Sequence, residues 1–217
     1  MIQDRNLSLS NQVYEKIEES ILSGTYQIGE VISEKKLCAD LGVSRTPVRE
    51  ALSRLKHDKL VRESTTGTVV VGVTKKDLQD FFEIKKRVES LVFQRALENI
   101  SEEGLETLKE IIKKQEYYAR EGNTEKVCDL DTDFHDKVYA ESGSIVLEGI
   151  LSPVHHKMAR YRKASLEKEK RVFESVKEHQ GIYEALASRD YNKLEERVKA
   201  HIENAYKGMT EGSNQWD

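Results

Sequence analysis

Cysteine, proline and the largest aromatics are scarce in this chain. Its 217 residues include two cysteines, two prolines, one tryptophan and five phenylalanines. Cys38 and Cys128 fall on separate predicted helices, at no spacing that pairs them or binds metal, and neither CxxC nor HExxH occurs. A disulfide framework is thereby excluded, and reduced thiols in a cytoplasm are expected. No apolar run approaches the roughly 20 residues that a membrane-spanning helix needs, so no membrane partner is expected. Gln3, Asp4, Arg5 and Asn6 come too early for the apolar core of a signal peptide. Internal repeats and low-complexity tracts are missing as well.

Charge, by contrast, is plentiful. Charged residues make up 34% of the chain, which predicts a soluble protein rich in solvated helix surface. The length suits one large domain or two small ones, with enough residues to bury a core. A formal net charge of −4 argues at first against a nucleic-acid partner. The distribution of that charge points the other way. Residues 1–74 hold ten basic and ten acidic residues, and residues 75–217 hold 25 and 29, so the acidic excess lies entirely in the second part. Residues 33–62 hold eight basic against four acidic, a local +4 that can bind DNA while the rest stays off the polyanion.

That basic stretch, EKKLCADLGVSRTPVREALSRLKHDKLVR, reads as a helix over about 33–41, a tight turn at Gly42, and a second helix over 44–59 opened by Ser44. Leu37, Leu41, Val43, Val48, Leu52 and Leu55 supply the apolar contacts, which leaves Arg45, Thr46 and Arg49 facing out. Arginines on the exposed first turns of a helix suit the major groove, where guanidinium forks reach phosphates and guanine edges. An ordinary basic surface helix would share this pattern. Pro47 costs little in a first turn, where its missing amide has no intrahelical partner.

Before this pair, residues 10–23 form a predicted amphipathic helix with Ser10 as N-cap, ended by Gly24, and Thr25–Ile32 is a connector with a short strand. After it, Leu60–Glu63 and Thr68–Val73 flank Ser64-Thr65-Thr66-Gly67 as a hairpin with Gly67 in the turn. Helix, helix-turn-helix and hairpin is the winged-helix order. The pattern breaks at Thr74–Asp77. Beyond it six helices are predicted, over 75–99, 101–121, 124–141, 144–165, 170–188 and 190–208, with Pro153 kinking the fourth and Gly208–Asp217 frayed. The expected fold is mainly α: a winged helix-turn-helix with a small β-hairpin wing over 1–74, a linker at 75–78, and an all-α bundle over 79–217.

The bundle carries a constellation of histidines. Asp131 and His135 stand at i and i+4, one turn apart on one helix face, a good spacing for two ligands of one ion. His179 precedes Ile182 and Leu186, and His201 lies between Val198 and Ile202, so both belong near apolar faces. Of the adjacent His155 and His156, at most one can face the core. Three histidines and a carboxylate from three helices can converge on a divalent cation. Satisfied core histidines and a surface Asp–His hydrogen bond would give the same spacing.

Four segments, one in the first part of the chain and three in the second, carry a resemblance. GVSRTPVREALSRL with a glycine-containing wing resembles the DNA-binding domain of GntR-type bacterial transcription regulators. DTDFH (131–135), ESVKEHQGIYEAL (174–186) and RDYNKLEERVKAHIENA (189–205) are similar to the motifs of the FCD effector domain of the FadR subgroup, in its six-helix version. The resemblance implies that Asp131, His135, His179 and His201 are metal ligands, for zinc foremost, with nickel or manganese as alternatives. The ion would help hold a small carboxylate-type effector. For DNA it points to Arg45, Thr46, Arg49 and Gly67, with Lys35 on a phosphate. Lys85 stands where the family often has an arginine, four residues before Glu89, and offers a point charge rather than a planar fork. Arg160 and Arg162 are further candidates for the effector pocket.

The expectation is a ligand-responsive repressor that binds a pseudo-palindromic double-stranded operator as a homodimer, since one winged helix reads few base pairs. Set beside it is a metal-dependent enzyme that uses the Asp/His cluster. Such an enzyme needs a base near the ion, and the sequence neighbours on offer are Asp133, which points away from the Asp131–His135 face, and Glu178.

Overall fold

The structure, a computed structural model, describes residues 8–212. Residue contacts divide the chain into two compact units, Met1–Thr74 and Lys75–Asp217.

The first unit begins with α1 (Leu9–Leu22), which buries Val13, Ile17, Ile21 and Leu22 and packs on α3. Its N-cap is Ser8, whose hydroxyl accepts from the amide of Asn11, and not the expected Ser10, which lies inside the helix. α2 (Glu34–Leu41) is capped by Ser33 and ends on Gly42 in the left-handed conformation, φ +67°. α3 (Arg45–His57) follows Ser44, which holds the extended N-cap backbone but makes no side-chain cap. Pro47 and Val48 turn inward beside Ala51, Leu52 and Leu55, so the opposite face is left to the charged residues.

β1 (Val31–Ile32), β2 (Val61–Ser64) and β3 (Gly67–Val70) form an antiparallel sheet in the order β1-β3-β2. The β2–β3 turn is Thr65–Thr66, closed by Ser64, whose hydroxyl accepts from the Thr66 amide and donates to the Gly67 carbonyl. Gly67 begins β3, one place past the expected turn position, opposite Ser64. Its φ of +136° and the 3.1 Å from a would-be Cβ to Val31 Cγ1 both favour glycine.

The second unit is all helix among the described residues: α4 (Lys75–Asn99), α5 (Glu102–Arg120), α6 (Thr124–Glu141), α7 (Ile145–Lys157), α8 (Ala159–Leu166), α9 (Glu169–Ala187) and α10 (Tyr191–Gly212). Residues 75–78, expected as a linker, are the first turn of α4. α6 packs against α4, α5, α7 and α8, which places Phe134, Val138 and Tyr139 among the most buried side chains.

Two expectations are corrected by the structure. The single helix over 144–165 is two helices, and the break lies at Met158 (φ −85°, ψ −1°), not at Pro153. Pro153 is exposed and lies inside α7. Gly208 likewise does not end the last helix. α10 continues to Gly212, and a Cβ at Gly208 would sit 2.4 Å from Ser165 Oγ, so the glycine lets α10 approach α8. Residues 213–217, expected as frayed, lie outside the described residues. No helix of the described residues is long and apolar enough to cross a membrane.

Candidate metal centre and nucleic-acid face

Every helix of the second unit contributes a side chain to one buried polar cluster. α6 supplies Asp131 and His135, α9 supplies His179 and α10 supplies His201; all four are buried, His179 completely. His135 Nε2 lies 3.2 Å from His201 Nε2. His179 Nε2 lies 3.6 Å from Asp131 Oδ1 and has no hydrogen-bond partner. The outer nitrogens are each directed at an acceptor: His135 Nδ1 is 3.3 Å from Glu89 Oε1 of α4, His179 Nδ1 is 3.0 Å from Gln115 Oε1 of α5, and His201 Nδ1 is 2.8 Å from Glu178 Oε2 of α9.

An acceptor on each Nδ1 fixes the proton there and turns the Nε2 lone pairs inward. Two imidazole nitrogens on one zinc at about 2.0–2.1 Å are separated by roughly 3.3 Å, close to the His135–His201 spacing. Without an ion, the inward lone pairs have nothing but one another to face, and His179 Nε2 is orphaned in the interior. The donor set therefore fits a divalent cation.

Protonation states favour the same reading. Burial, reinforced by the Lys85 charge, pushes His135 down to about 4. Burial also drives His179 and His155 well below the usual histidine range. For Asp131 burial works upward, but the Arg162 charge, the His155 hydrogen bond and the nearby imidazoles outweigh it, and the carboxyl stays well below its ordinary value. Near pH 7 His135 and His179 are therefore neutral imidazoles and Asp131 an ionised carboxylate, the forms that bind metal.

Charged groups crowd one side of this centre. Arg162 Nε lies 3.1 Å from Asp131 Oδ2, with Arg162 Nη2 donating to Thr132 Oγ1 at 2.6 Å. Lys85 pairs with Glu89 at 2.9 Å and reaches His155 Nδ1 at 3.1 Å. Tyr139 donates its hydroxyl to Glu89. Among them lies a cavity of about 20 Å³, bordered by Lys85, Asp131, His135, His155, Arg162 and His201, room for about one water molecule. Of the three effector candidates, Lys85 and Arg162 line it. Arg160 is half-exposed and does not.

Sequence reasoning missed several members. His155 is buried and hydrogen-bonds Asp131 through Nε2 at 3.1 Å, while His156 is exposed on Asp136. The signal was its place one residue after Val154 on the apolar face. Glu89 was legible as the i+4 partner of Lys85. Gln115 carried no signal, because a glutamine on an amphipathic helix looks like surface. Asp133 is exposed, and Glu178 is held by Arg171 through two 3.0 Å hydrogen bonds as well as by His201, so neither is a base free to serve an enzyme.

In the first unit, Lys35, Arg45, Thr46, Arg49 and Gly67 are all exposed. Arg49 is not free: its Nε donates to Glu34 Oε2 at 2.9 Å and to Oε1 at 3.1 Å. Glu34, in the first turn of α2, was missed because an acidic residue there is already explained by the helix dipole.

Both units match known protein families. Residues 80–204 match the FCD domain, and residues 9–70 match the bacterial regulatory proteins of the gntR family. The chain is 26% identical over 193 residues to the HTH-type transcriptional regulator YdhC of Bacillus subtilis (strain 168), covering 88% of this chain and 86% of that one. It is 30% identical over 118 residues to the gluconate operon transcriptional repressor of Bacillus licheniformis, 54% of this chain and 49% of the repressor. Among solved structures, Escherichia coli McbR/YncC superposes with a TM-score of 0.83 at 21% identity over 97% of this chain and 100% of that one. These relatives are regulators, not enzymes.

Proposed function

The chain belongs to the gntR family of bacterial regulatory proteins, in its FCD-domain branch, and from that premise we propose a cytoplasmic, homodimeric repressor that releases its operator on binding a small carboxylate. The observation that carries the ligand half is the buried group of His135, His179 and His201, with Asp131 3.6 Å from His179, beside buried Lys85 and Arg162. Zinc is the ion best matched to this nitrogen-rich set. Once bound, the ion supplies coordination positions that an anionic oxygen can fill. Lys85 and Arg162 then act on the acid. Arg162 now rests on Asp131, and the cavity holds only about 20 Å³, so an incoming carboxylate draws Arg162 outward to make room.

Arg45 and Arg49 contact bases or phosphates from one face of α3, Thr46 and Lys35 flank them, and Gly67 lets the wing backbone approach the duplex. A repressor fits the gluconate operon repressor among the relatives. The homodimer is supported by Ile145 and Val146, which leave 87% and 71% of their surface exposed at the start of α7, an apolar patch that a second copy would cover.

A thermal-shift series with zinc and a panel of small carboxylates tests the ligand half. Zinc is expected to raise the melting temperature of the wild type and not of His179→Ala, with one or more acids adding a further rise only when zinc is present. Equal zinc stabilisation of both proteins would sink the assignment of the centre.

A further inference from the structure

A second, larger cavity lies outside the histidine centre. It is a groove of about 590 Å³ where the start of α9 faces the end of α10, bordered by Lys168, Arg171, Lys177, Asn204, Lys207 and Gly208. This volume is in the range of small-ligand sites, about 300–1,000 Å³. The groove is basic although its unit carries the acidic excess of the chain. Lys170 is matched by Glu174 at 3.5 Å, and Arg171 by Glu178. Lys168, Lys177 and Lys207 are exposed and have no ion pair among the described residues. Three ammonium groups without an ion pair among the described residues, around one groove, attract a compact multiple anion.

The kind of charge selects the ligand. Planar carboxylates favour the arginine fork, but both terminal nitrogens of Arg171 are already committed to Glu178. What the groove offers instead is point charges on flexible stems, which suit a phosphate. Inorganic phosphate would leave most of the volume empty, so the remainder suits an organic moiety of sugar size.

The groove also has a route inward. Arg171 is 8% exposed, with a buried Nε that lacks a partner, and it borders both this groove and the small cavity of the histidine centre. Its partner Glu178 accepts from Asn204 Nδ2 at 2.9 Å and holds His201 Nδ1. We propose that this groove binds a small phosphorylated metabolite, and that the Arg171–Glu178–His201 chain couples its occupancy to the metal centre. A phosphate on the lysines that reaches the unpartnered Nε of Arg171 weakens its grip on Glu178, whose carboxylate then accepts more strongly from His201 and makes that imidazole a better ligand. The coupling rests on the metal reading above; the binding does not.

Calorimetric titration of the metal-free full chain with glucose 6-phosphate, with glucose and inorganic phosphate as comparators, tests binding. The sugar phosphate is expected to bind at millimolar or lower concentration. Affinity should fall about tenfold in Lys177→Glu/Lys207→Glu, two exposed positions, and stay unchanged in His179→Ala. Absence of binding to the wild type overturns the site. So does loss in His179→Ala with retention in the lysine variant, which would place the anion on the histidine centre. Inorganic phosphate binding as tightly as the sugar phosphate overturns the organic assignment. For the coupling, saturating glucose 6-phosphate should tighten zinc several-fold in the wild type and not in the lysine variant. Unchanged or weakened zinc affinity in the wild type overturns that half.

Discussion

On the helix-turn-helix unit Lys35, Arg45 and Arg49 stand in solvent, whereas in the helical unit Lys85, Asp131 and Arg162 are at most 4% exposed. Both regions gather charge, yet the physics differs. Exposed charges are hydrated and screened, so they cost the fold little and are open to a polyanion, Arg49 by exchanging its exposed Glu34 partner for a phosphate or base. Buried charges persist only because each is matched, as Lys85 is by Glu89 and Arg162 by Asp131. Substitution should therefore separate the two regions: in the first unit binding falls and stability stands, and in the second stability itself falls.

The largest expected effect is on the buried side. Glu89→Ala leaves Lys85 unpaired and removes the acceptor of both Tyr139 and His135, so a loss of about 3–5 kcal/mol is expected in urea unfolding. A loss below about 1 kcal/mol would mean that the interior charges are hydrated after all. Next comes Arg49→Ala, expected to weaken operator binding by about 1–3 kcal/mol, read by fluorescence anisotropy, with stability changed by no more than about 0.5 kcal/mol. Operator affinity equal to wild type would show that α3 is not the reading helix. Smaller again is Gln115→Leu, which leaves His179 Nδ1 without its acceptor; zinc affinity should drop about tenfold by competition titration while operator binding without ligand is unchanged.

The smallest effect is graded by pH. The His135 value of about 4 lies below its unfolded value of about 6.5. Between those values the unfolded chain binds more protons than the folded one, so stability is fully present above the upper value and is lost as pH falls towards the lower. The metal-free protein should lose on the order of 1 kcal/mol through this histidine by about pH 5.5. A melting temperature flat from about pH 7 to 5.5 would contradict burial of a neutral imidazole.

Much of the fold and of the centre was legible in the sequence, and the rest failed for identifiable reasons. Helix periodicity and the Ser, Thr and Gly signals at helix ends located the elements, because such signals are local. The i, i+4 spacing of Asp131 and His135 and the apolar neighbours of His179 and His201 marked them as candidates; the fold groups the three histidines and sets Asp131 3.6 Å from His179, although its tighter grouping is with His135 and His155. The end of α7 at Met158 was not legible, because neither a glycine nor a proline marks it. Gly208 misled because glycine also serves close packing, in this case against Ser165. The acceptors behind the histidines, Gln115 and Glu178, and the clasp of Glu34 on Arg49 are partners from other helices, and no pattern within one segment encodes them.

The central claim, that charge buried in one unit controls what exposed charge does in the other, is tested most directly by operator affinity. It would be measured for wild type and His179→Ala with zinc, before and after adding the carboxylate that most stabilises the zinc-loaded wild type. The acid is expected to weaken operator binding about tenfold or more in the wild type and to leave His179→Ala unmoved. An equal response in both proteins, or none in the wild type, would contradict the claim.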